Sequence, residues 1–461
     1  LSGANAYTGT TTISAGTLKL GTGGSLSTST ALSIGGSSAT LDLYGNSQSV
    51  ASLTGVSGGF VLNSLNSSAS TLTVTGGTTT FAGIIKNNGG TGGTVALVID
   101  GATLTLSGAN TYTGGTTLTS GALLVGVATS GTLGSITSSA IGTGTLTFNG
   151  GTISSDSSTA RTLYNTLTFT GDATIGYSTN TGKLTFGAAG GLGSSTRTIT
   201  VNTSTTGEFD GILSSATSTT GLTKAGSGTL ILAGANTYTG TTTISAGTLQ
   251  NGVNNVISDS SAVQIANSAT WDVNGKTETV YSIADVSGQA TGAITLGSGT
   301  VTIKNTGGTS TTFSGVISGT GGLTLHASNT GTTVLANSAN TYSGVTTING
   351  GTLSVGTLAN GSSNSSIGAS DSTATNLVLG GGTLKYTGNS VSTDRNFTIT
   401  DATTGTIEVA TSGQTLTISG AAAATTGALT KTGAGTLTLS GANAYTGTTT
   451  ISAGTLQNGV N

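Results

Sequence analysis

The chain lacks cysteine, proline and methionine altogether, and only 5% of its 461 residues are charged. Without cysteine and with a single histidine, His326, it cannot build a metal site from Cys and His side chains, and no metal or cofactor is expected. A net charge of −3 leaves little field to attract nucleic acid or anionic lipid, so neither is expected as a partner. No apolar run is long enough to cross a membrane as a helix, and we expect no membrane insertion.

The chain is instead rich in glycine, with 79 residues, and in short runs where aliphatic residues alternate with threonine. Segments 103–106 and 436–439, for example, both read Thr-Leu-Thr-Leu. In a strand this period of two places the leucines on one face and the threonines on the other. Glycine and asparagine between the runs accept the positive φ of tight turns. Because the alternation persists from end to end, it predicts packed strands rather than a flexible Gly/Ser-rich linker.

One phrase recurs five times, and its first copy reads Leu-Ser-Gly-Ala-Asn-Ala-Tyr-Thr-Gly-Thr-Thr-Thr-Ile-Ser-Ala-Gly-Thr-Leu. Every copy keeps an Asn-x-Tyr pair, and these pairs are Asn5/Tyr7, Asn110/Tyr112, Asn236/Tyr238, Asn340/Tyr342 and Asn443/Tyr445. They are structural repeat positions in our interpretation, with asparagine bonding locally in turns and tyrosine packing at the edge. The alternative is a ligand-binding stripe of tyrosines, but copies about 24 Å apart form no continuous ladder.

The distances between the pairs, 105, 126, 104 and 103 residues, predict a stack of like units. The second distance exceeds the others by about the length of one solenoid coil, and the surplus falls within residues 171–206. We therefore predict an all-β, right-handed parallel β-helix of about 20–22 coils, a rod roughly 100 Å long, as one continuous solenoid over residues 1–461. The predicted repeat units are 1–105, 106–231 with the extra coil, 232–334, 335–438, and 439–461 as the start of another.

Both ends of the chain lie inside the repeated phrase, and the first residue is Leu1. We expect this to be a processed or excised portion of a longer protein. Bare strand edges invite pairing. The expected partners are therefore further coils of the same chain or a second molecule joined end to end.

Two copies have an upstream extension, Gly-Leu-Thr-Lys-Ala-Gly-Ser-Gly-Thr-Leu at 221–230 and Leu-Thr-Lys-Thr-Gly-Ala-Gly-Thr-Leu at 429–437. This extended phrase resembles the passenger-associated transport repeat of bacterial autotransporters. The likeness is weaker where His326 replaces the lysine, and ahead of Leu106. The resemblance implies a β-helix at the bacterial cell surface or secreted from the cell, with a scaffold role associated with passenger folding during export.

Candidate catalytic or ligand-binding residues are few. Glu208 and Asp210 flank Phe209 on one strand face, where they are weak candidates for a Ca²⁺ site or a glycosidase pair. A solvated acidic pair is the plainer interpretation. His326 has no nucleophile motif near it, so we interpret it as a solvated strand residue.

Three functions follow from these observations, in order of preference. The first is a structural extracellular solenoid, a stalk or fibre-forming segment in adhesion or cell–cell attachment. The second is a module that binds glycans or host surfaces through outward Tyr and Thr side chains. The third, an enzyme acting on polysaccharide, would need Glu208/Asp210 or His326, and we do not expect an enzyme.

Overall fold

Strands joined by tight turns make up most of the computed structural model, which describes residues 1–89 and 92–459. The chain divides into two units, Leu1–Gly234 and Ala235–Asn461, and each is a solenoid of parallel stacked coils. Together they contain about 19 turns, slightly fewer than the 20–22 expected. Val460 and Asn461, at the end of the fifth repeat unit, lie outside the described residues.

The first unit contains β1 to β26. These are β1 (Thr11–Ile13), β2 (Thr17–Lys19), β3 (Ala31–Ile34), β4 (Thr40–Asp42), β5 (Gln48–Val50), β6 (Ser52–Gly55), β7 (Phe60–Leu62), β8 (Ala69–Val74), β9 (Thr78–Phe81), β10 (Ile84–Ile85), β11 (Thr94–Leu106), β12 (Thr116–Val125), β13 (Ser130–Thr132), β14 (Ser135–Ser138), β15 (Leu146–Phe148), β16 (Thr152–Ser155), β17 (Arg161–Leu163), β18 (Leu167–Phe169), β19 (Ala173–Ile175), β20 (Leu184–Phe186), β21 (Gly190–Gly191), β22 (Arg197–Val201), β23 (Thr206–Phe209), β24 (Leu213–Ser214), β25 (Leu222–Ala225) and β26 (Thr229–Leu232).

The second unit contains β27 to β50 and a short 3₁₀ turn at Ala374–Asn376. Its strands are β27 (Thr242–Ile244), β28 (Thr248–Asn251), β29 (Ala262–Ile265), β30 (Thr270–Asp272), β31 (Thr277–Val280), β32 (Ser282–Asp285), β33 (Ala293–Thr295), β34 (Thr300–Ile303), β35 (Ser310–Phe313), β36 (Val316–Ser318), β37 (Gly322–Leu325), β38 (Thr332–Leu335), β39 (Thr346–Ile348), β40 (Thr352–Val355), β41 (Leu377–Leu379), β42 (Thr383–Tyr386), β43 (Val391–Thr393), β44 (Thr398–Ile399), β45 (Thr404–Val409), β46 (Thr415–Ile418), β47 (Ala428–Thr432), β48 (Thr436–Leu439), β49 (Thr449–Ile451) and β50 (Thr455–Asn458). Over the described ranges, no helix has the length and apolar character needed to span a membrane.

Strands of the first unit stack into parallel ladders, because each coil returns the chain to the same side one coil later. The longest ladder passes through β1, β3, β6, β9, the second halves of β11 and β12, β16, β19, β22 and β25. Another passes through β5, β8, the first halves of β11 and β12, β15, β18, β21 and β24. The hairpin of β13 and β14 differs, since its strands are antiparallel.

Strands of the second unit stack in the same way. One ladder runs from β35 through β38, β40, β42, β45 and β47 to β49. A second runs from β31 through β34, β37, β39 and β41 to β44. A third joins β43, β46, β48 and β50. The predicted all-β solenoid of stacked parallel coils is therefore confirmed.

Side chains alternate between core and solvent as the period of two predicts. In β46, Leu416 and Ile418 are buried, whereas Thr415 and Thr417 are partly exposed. The core of the first unit also contains stacked aromatic rings, with centroids 4.9 Å apart for Phe148 and Phe169. Such offset pairs add about 0.5–1.5 kcal/mol beyond the area they bury.

Successive copies of the phrase within a unit occupy different ladders. The ladder of β1 reaches the second half of β12, which corresponds in the phrase to β2 rather than to β1. In the second unit, the ladder of β40 reaches β49, although β50 is the strand equivalent to β40. Neither of these two repeats is therefore a whole number of coils, and the second and fifth copies are displaced by one face from the first and fourth.

The stretch after the second copy is longer than the stretch after the fourth. From β16 to β25 the ladder takes three inter-coil pairings, whereas from β42 to β47 it takes two. Both β25 and β47 carry the Leu-Thr-Lys sequence that precedes the phrase. The first unit thus has one more strand in this ladder between equivalent points.

Candidate functional sites

The repeated asparagines bond neighbouring coils to each other. Asn110 is fully buried, its Oδ1 accepts the N–H of Ile85 at 2.7 Å, and its Nδ2 donates to the carbonyl of Ala140 at 2.6 Å. The partners lie 25 residues before and 30 residues after it, one coil away on either side. Asn340 does the same between Ile317, at 2.8 Å, and Ser366, at 3.0 Å. We call this arrangement the asparagine clamp.

The same geometry recurs in part at the other three asparagines. Asn236 donates to the carbonyl of Val256 at 2.8 Å, and Asn5 donates to Ser25 at 3.0 Å. Asn443 accepts the N–H of Ala422 at 2.8 Å. The local turn bonds that the sequence predicted are present as well, for example from Asn443 Nδ2 to the carbonyl of Gly441 at 2.9 Å. The asparagine therefore acts in its own turn and between coils.

The repeated tyrosines each bond a threonine four residues further on. The Tyr–Thr oxygen distances are 2.8 Å for Tyr7 and Thr11, 2.6 Å for Tyr112 and Thr116, 3.0 Å for Tyr238 and Thr242, 2.8 Å for Tyr342 and Thr346, and 2.7 Å for Tyr445 and Thr449. A buried tyrosine hydroxyl needs such a partner, because leaving it unpaired is costly. Burial raises the pKa of Tyr112, Tyr238 and Tyr342, so all three stay neutral.

The idea that these tyrosines face outward is wrong for three of the five. Tyr112, Tyr238 and Tyr342 are completely buried, and packing at the edge does not describe them either. Their rings belong to the apolar core, and the threonine bond satisfies the hydroxyl there. Tyr7, 42% exposed, and Tyr445 lie in the first and last coils of the described chain. A glycan-binding stripe of repeat tyrosines is therefore excluded.

The coils that follow the second and fourth copies are the longest, because each contains an inserted loop. Thr116 pairs with Leu146, 30 residues on, and Thr346 pairs with Leu377, 31 residues on. The first loop, residues 126–145, contains the hairpin of β13 and β14, and we call it the hairpin loop. The second, residues 356–376, we call the arginine loop, since Arg395 binds it. Loops held on a rigid scaffold are where binding residues are disproportionately found.

The arginine loop is filled from beneath by the guanidinium of Arg395, which is 2% exposed. This group donates to Ala359 O at 2.9 Å, Ser370 O at 3.1 Å, Ser370 Oγ at 2.9 Å, Gly368 O at 2.8 Å, Ser363 O at 3.3 Å and Asn360 O at 3.4 Å. Five donors in a fixed fork suit this task. Burial lowers the pKa of Arg395, although the guanidinium stays charged.

The candidate acidic pair is held by a lysine. Glu208 is partly buried, with its Oε2 2.5 Å from Lys183 Nζ and 3.2 Å from Thr185 Oγ1. Asp210 is exposed and directly follows the same strand, β23, which ends at Phe209. Partial desolvation and then the charge of Glu208 raise the pKa of Asp210, while Lys183 opposes them. The arrangement is an ion pair across neighbouring coils, and within the described ranges no three His, Cys, Asp or Glu side chains group as metal ligands.

The side chain of His326 bonds a serine of its own turn. Its Nδ1 accepts the N–H of Ser328 at 3.1 Å and lies 2.7 Å from the hydroxyl of the same serine. Asp42 and Asp272 also act in turns, accepting the N–H two residues ahead at 3.1 Å and 2.9 Å. These contacts stabilise local turns, and none aligns a nucleophile with a base.

Comparison with known proteins identifies the repeated phrase. The family model described as Passenger-associated-transport-repeat matches residues 1–20, 99–125, 222–250, 328–355 and 429–457. Each segment contains one Asn-x-Tyr pair and the threonine that bonds the tyrosine. The chain carries five passenger-associated transport repeats. The predicted resemblance to an autotransporter passenger is thereby confirmed.

A stretch of 102 residues is 51% identical to the Adhesin BmaC autotransporter of Brucella suis biovar 1 (strain 1330). The match covers 22% of this chain and 3% of that protein, so the chain corresponds to only a small part of the relative. No solved structure matches the chain.

Besides Asp42, four charged side chains that the sequence pattern had not singled out are buried. Lys224 and Lys431 are fully buried in β25 and β47, and their ammonium groups donate to carbonyls of the turns that follow, including Gly226 at 2.7 Å and Gly433 at 2.9 Å. Burial lowers the pKa of Lys224 to about 8, and lowers that of Lys431 as well. The alternation of β25 signals this placement, because Lys224 falls two residues after the buried Leu222.

Glu278 is the third such group, and Arg395 is the fourth. Glu278 is completely buried and accepts the N–H of Asn251 Nδ2 at 2.6 Å, of Val256 at 2.9 Å and of Ile257 at 3.2 Å. Asn251 in turn accepts the indole N–H of Trp271 at 3.0 Å. Burial raises the pKa of Glu278 to about 8, against the three donors, which lower it. In β31, Glu278 lies two residues before the buried Val280 and therefore on the same face, so the period of two indicates its burial as well.

Proposed function

We propose that this chain is a structural stretch of a bacterial surface adhesin, a β-solenoid stalk that is secreted or displayed outside the cell. The observation that carries the proposal is the use of the residues that recur in every repeat. Asparagine, tyrosine and threonine bond coil to coil or fill the core, so the repeats are used for rigidity. The likeness to a stretch of an autotransporter adhesin supports a surface location.

The proposed role is mechanical rather than enzymatic. Its physical basis is that the coils bond their neighbours through backbone ladders, and at Asn110 and Asn340 also through asparagine clamps. Bending would therefore require many hydrogen bonds to break together. The acidic pair is held by Lys183, and His326 by Ser328. Function must be argued from a site, and these residues offer no reacting arrangement.

We further propose that another coil packs on each end, either from the same chain or from a second copy joined into a fibre. Such a coil would bury Tyr7 and Tyr445 as Tyr112 and Tyr342 are buried. Backbone pairing at a strand edge is the expected bonding mode.

Attachment of the parent bacterium tests the stalk, and microscopy tests the fibre. In-frame removal of residues 1–461 from the bacterial protein should reduce attachment to surfaces and between cells. Unchanged attachment, with the truncated protein still at the surface, would rule out the proposed role. Purified chain that forms rods of a single length would contradict end-to-end joining, whereas fibres of indefinite length would support it.

A further inference from the structure

The two inserted loops occupy equivalent places in the repeat but differ in what lies beneath them. β16 and β42 are equivalent strands of the two units. Tyr164 follows the start of β16 at the same distance in sequence as Arg395 follows the start of β42, so the two residues occupy equivalent positions. The asparagine that follows is the same in both, Asn165 and Asn396. Under the arginine loop the guanidinium fills the space and bonds the loop carbonyls. Under the hairpin loop there is a tyrosine, which has no such donors.

As a result, the hairpin loop leaves an open groove where the arginine loop is sealed. The groove has a volume of about 560 Å³, inside the range of roughly 300–1,000 Å³ typical of small-ligand sites. One side is the hairpin, with Leu133 and Ile136, and the other is the solenoid wall, with Tyr164 and Ala189. Leu133 is 60% exposed, although it is a large apolar side chain. We call this space the hairpin groove.

The walls of the hairpin groove are held in place independently of any ligand. The hairpin loop is tied to the wall by Thr129, whose N–H donates to Thr162 O at 3.0 Å and whose Oγ1 accepts the N–H of Tyr164 at 3.4 Å. The ring of Tyr164 lies against the backbone of Gly187. A Cβ added to Gly187 would lie 2.5 Å from Cδ1 of Tyr164. The tyrosine is thus a fixed platform, which lowers the entropy lost on binding.

The chemistry of the lining indicates the class of ligand. Beside the aromatic and aliphatic groups the lining contains Ser135, Thr143 and Thr166, and it has no charged side chain. The hydroxyl of Thr143 donates to Tyr112 O at 3.4 Å, so towards a ligand it is an acceptor. An acidic or basic ligand would lose hydration here without gaining a counter-charge. A sugar ring matches the lining, because its C–H face packs on an aromatic ring while its hydroxyls bond hydroxyl groups at the rim.

We propose that the hairpin groove binds a neutral glycan, with Tyr164 as the stacking platform and Ser135, Thr143 and Thr166 as hydrogen-bonding partners. The inference rests on the proposed adhesin role and gives it a ligand class and a place. It differs from a stripe of repeat tyrosines, since Tyr164 lies outside all five transport repeats.

The test uses the purified chain of residues 1–461 and a panel of immobilised dextran, amylose, mannan and galactan, with heparin as the charged comparison. At least one neutral glycan should retain the chain, and heparin should not. Tyr164→Ala should weaken retention at least about tenfold, as truncation of an aromatic anchor does. Tyr164→Arg, which copies the sealed loop of the second unit, should abolish it, while Tyr164→Phe should keep most of it.

A matched control is Tyr44→Ala in the same unit, which removes a tyrosine ring that contacts Lys19 instead of a groove. It should leave retention unchanged, and circular dichroism should show all variants folded. The proposal would be overturned if no neutral glycan retained the chain. It would also be overturned if the Tyr164→Ala and Tyr164→Arg variants were retained as strongly as the unchanged chain. A third outcome against it is that the groove binds a second copy of the chain or a peptide and no glycan, and that Tyr164→Ala removes this binding. Attachment by bacteria carrying Tyr164→Arg separates the two proposals, since the stalk role survives if attachment persists.

Discussion

Replacing Asn110 by alanine should destabilise the coils around the second repeat far more than the same change at Asn5. The clamp at Asn110 joins three coils, and its removal leaves the buried N–H of Ile85 without its acceptor and the carbonyl of Ala140 without its donor. A buried group that loses its partner costs about 1–3 kcal/mol. With two such groups, the expected loss in the free energy of unfolding is about 2–6 kcal/mol.

Asn5→Ala is the matched control, because it changes the same residue in the same phrase. Asn5 donates to Gly3 O and Ser25 O in the first described coil, where it is partly exposed and water can replace its amide. The expected loss is below about 1 kcal/mol.

Hydrogen exchange read by mass spectrometry suits this comparison, since a repeat array does not unfold as one two-state unit. Peptides that contain Ile85 and Ala140 should exchange faster in Asn110→Ala, and urea unfolding should shift to lower concentration. Equal effects of the two variants, or unchanged exchange around Ile85, would refute the clamp as a coil-to-coil bond.

Three other changes test the buried and paired charges. Burial raises the pKa of Glu278 from an ordinary value of 4.5 to about 8, so the folded state holds this proton more tightly than the unfolded state. The stability that the bound proton contributes is therefore complete below pH 4.5 and is lost as the pH rises to 8. Glu278→Gln should flatten the fall in unfolding free energy between pH 5 and 8, and an unchanged slope in urea titrations would contradict this. Arg395→Met should lower the free energy of unfolding by about 2–4 kcal/mol, because it leaves carbonyls of the arginine loop unpaired. It should also increase protease cutting within residues 356–376, and a loop that stays uncut would contradict the role of Arg395 in holding it. Lys385→Ala should cost less than about 1 kcal/mol, since its 2.9 Å pair with Glu408 is partly solvated, and a larger loss would show that the pair determines coil register.

The stacked-coil fold followed from the sequence because it depends on local signals. Alternation in runs such as Thr415–Ile418 determines which side chains face inward, and glycine or asparagine marks the turns. The same test would have found Lys224 and Glu278, whose positions fall in phase with buried aliphatic residues. Composition alone does not reveal them, because lysine and glutamate are almost always exposed unless they are paired.

Coil number, ladder placement and the hairpin groove were not predictable in this way. A turn can gain residues without changing the phase of the strands on either side, so alternation carries no information on coil length. Coils between paired residues vary from 19 residues, between Leu104 and Leu123, to 31, between Leu353 and Leu384. Equivalent strands of the first and second copies, and of the fourth and fifth, therefore lie on different faces.

The displacement of the repeated phrase from one face of the solenoid to another gives the repeats and the inserted loops different roles. Because successive copies within a unit present the phrase on different faces, identical residues cannot form one binding surface, even where they are exposed. The inserted loops are not bound by that constraint. They leave the ladders at turns, and a single residue beneath each, Tyr164 or Arg395, decides whether the space is open or filled. A rigid solenoid can in this way carry one site in a long series of similar coils, and the Tyr164→Arg exchange removes that site without altering a single ladder bond.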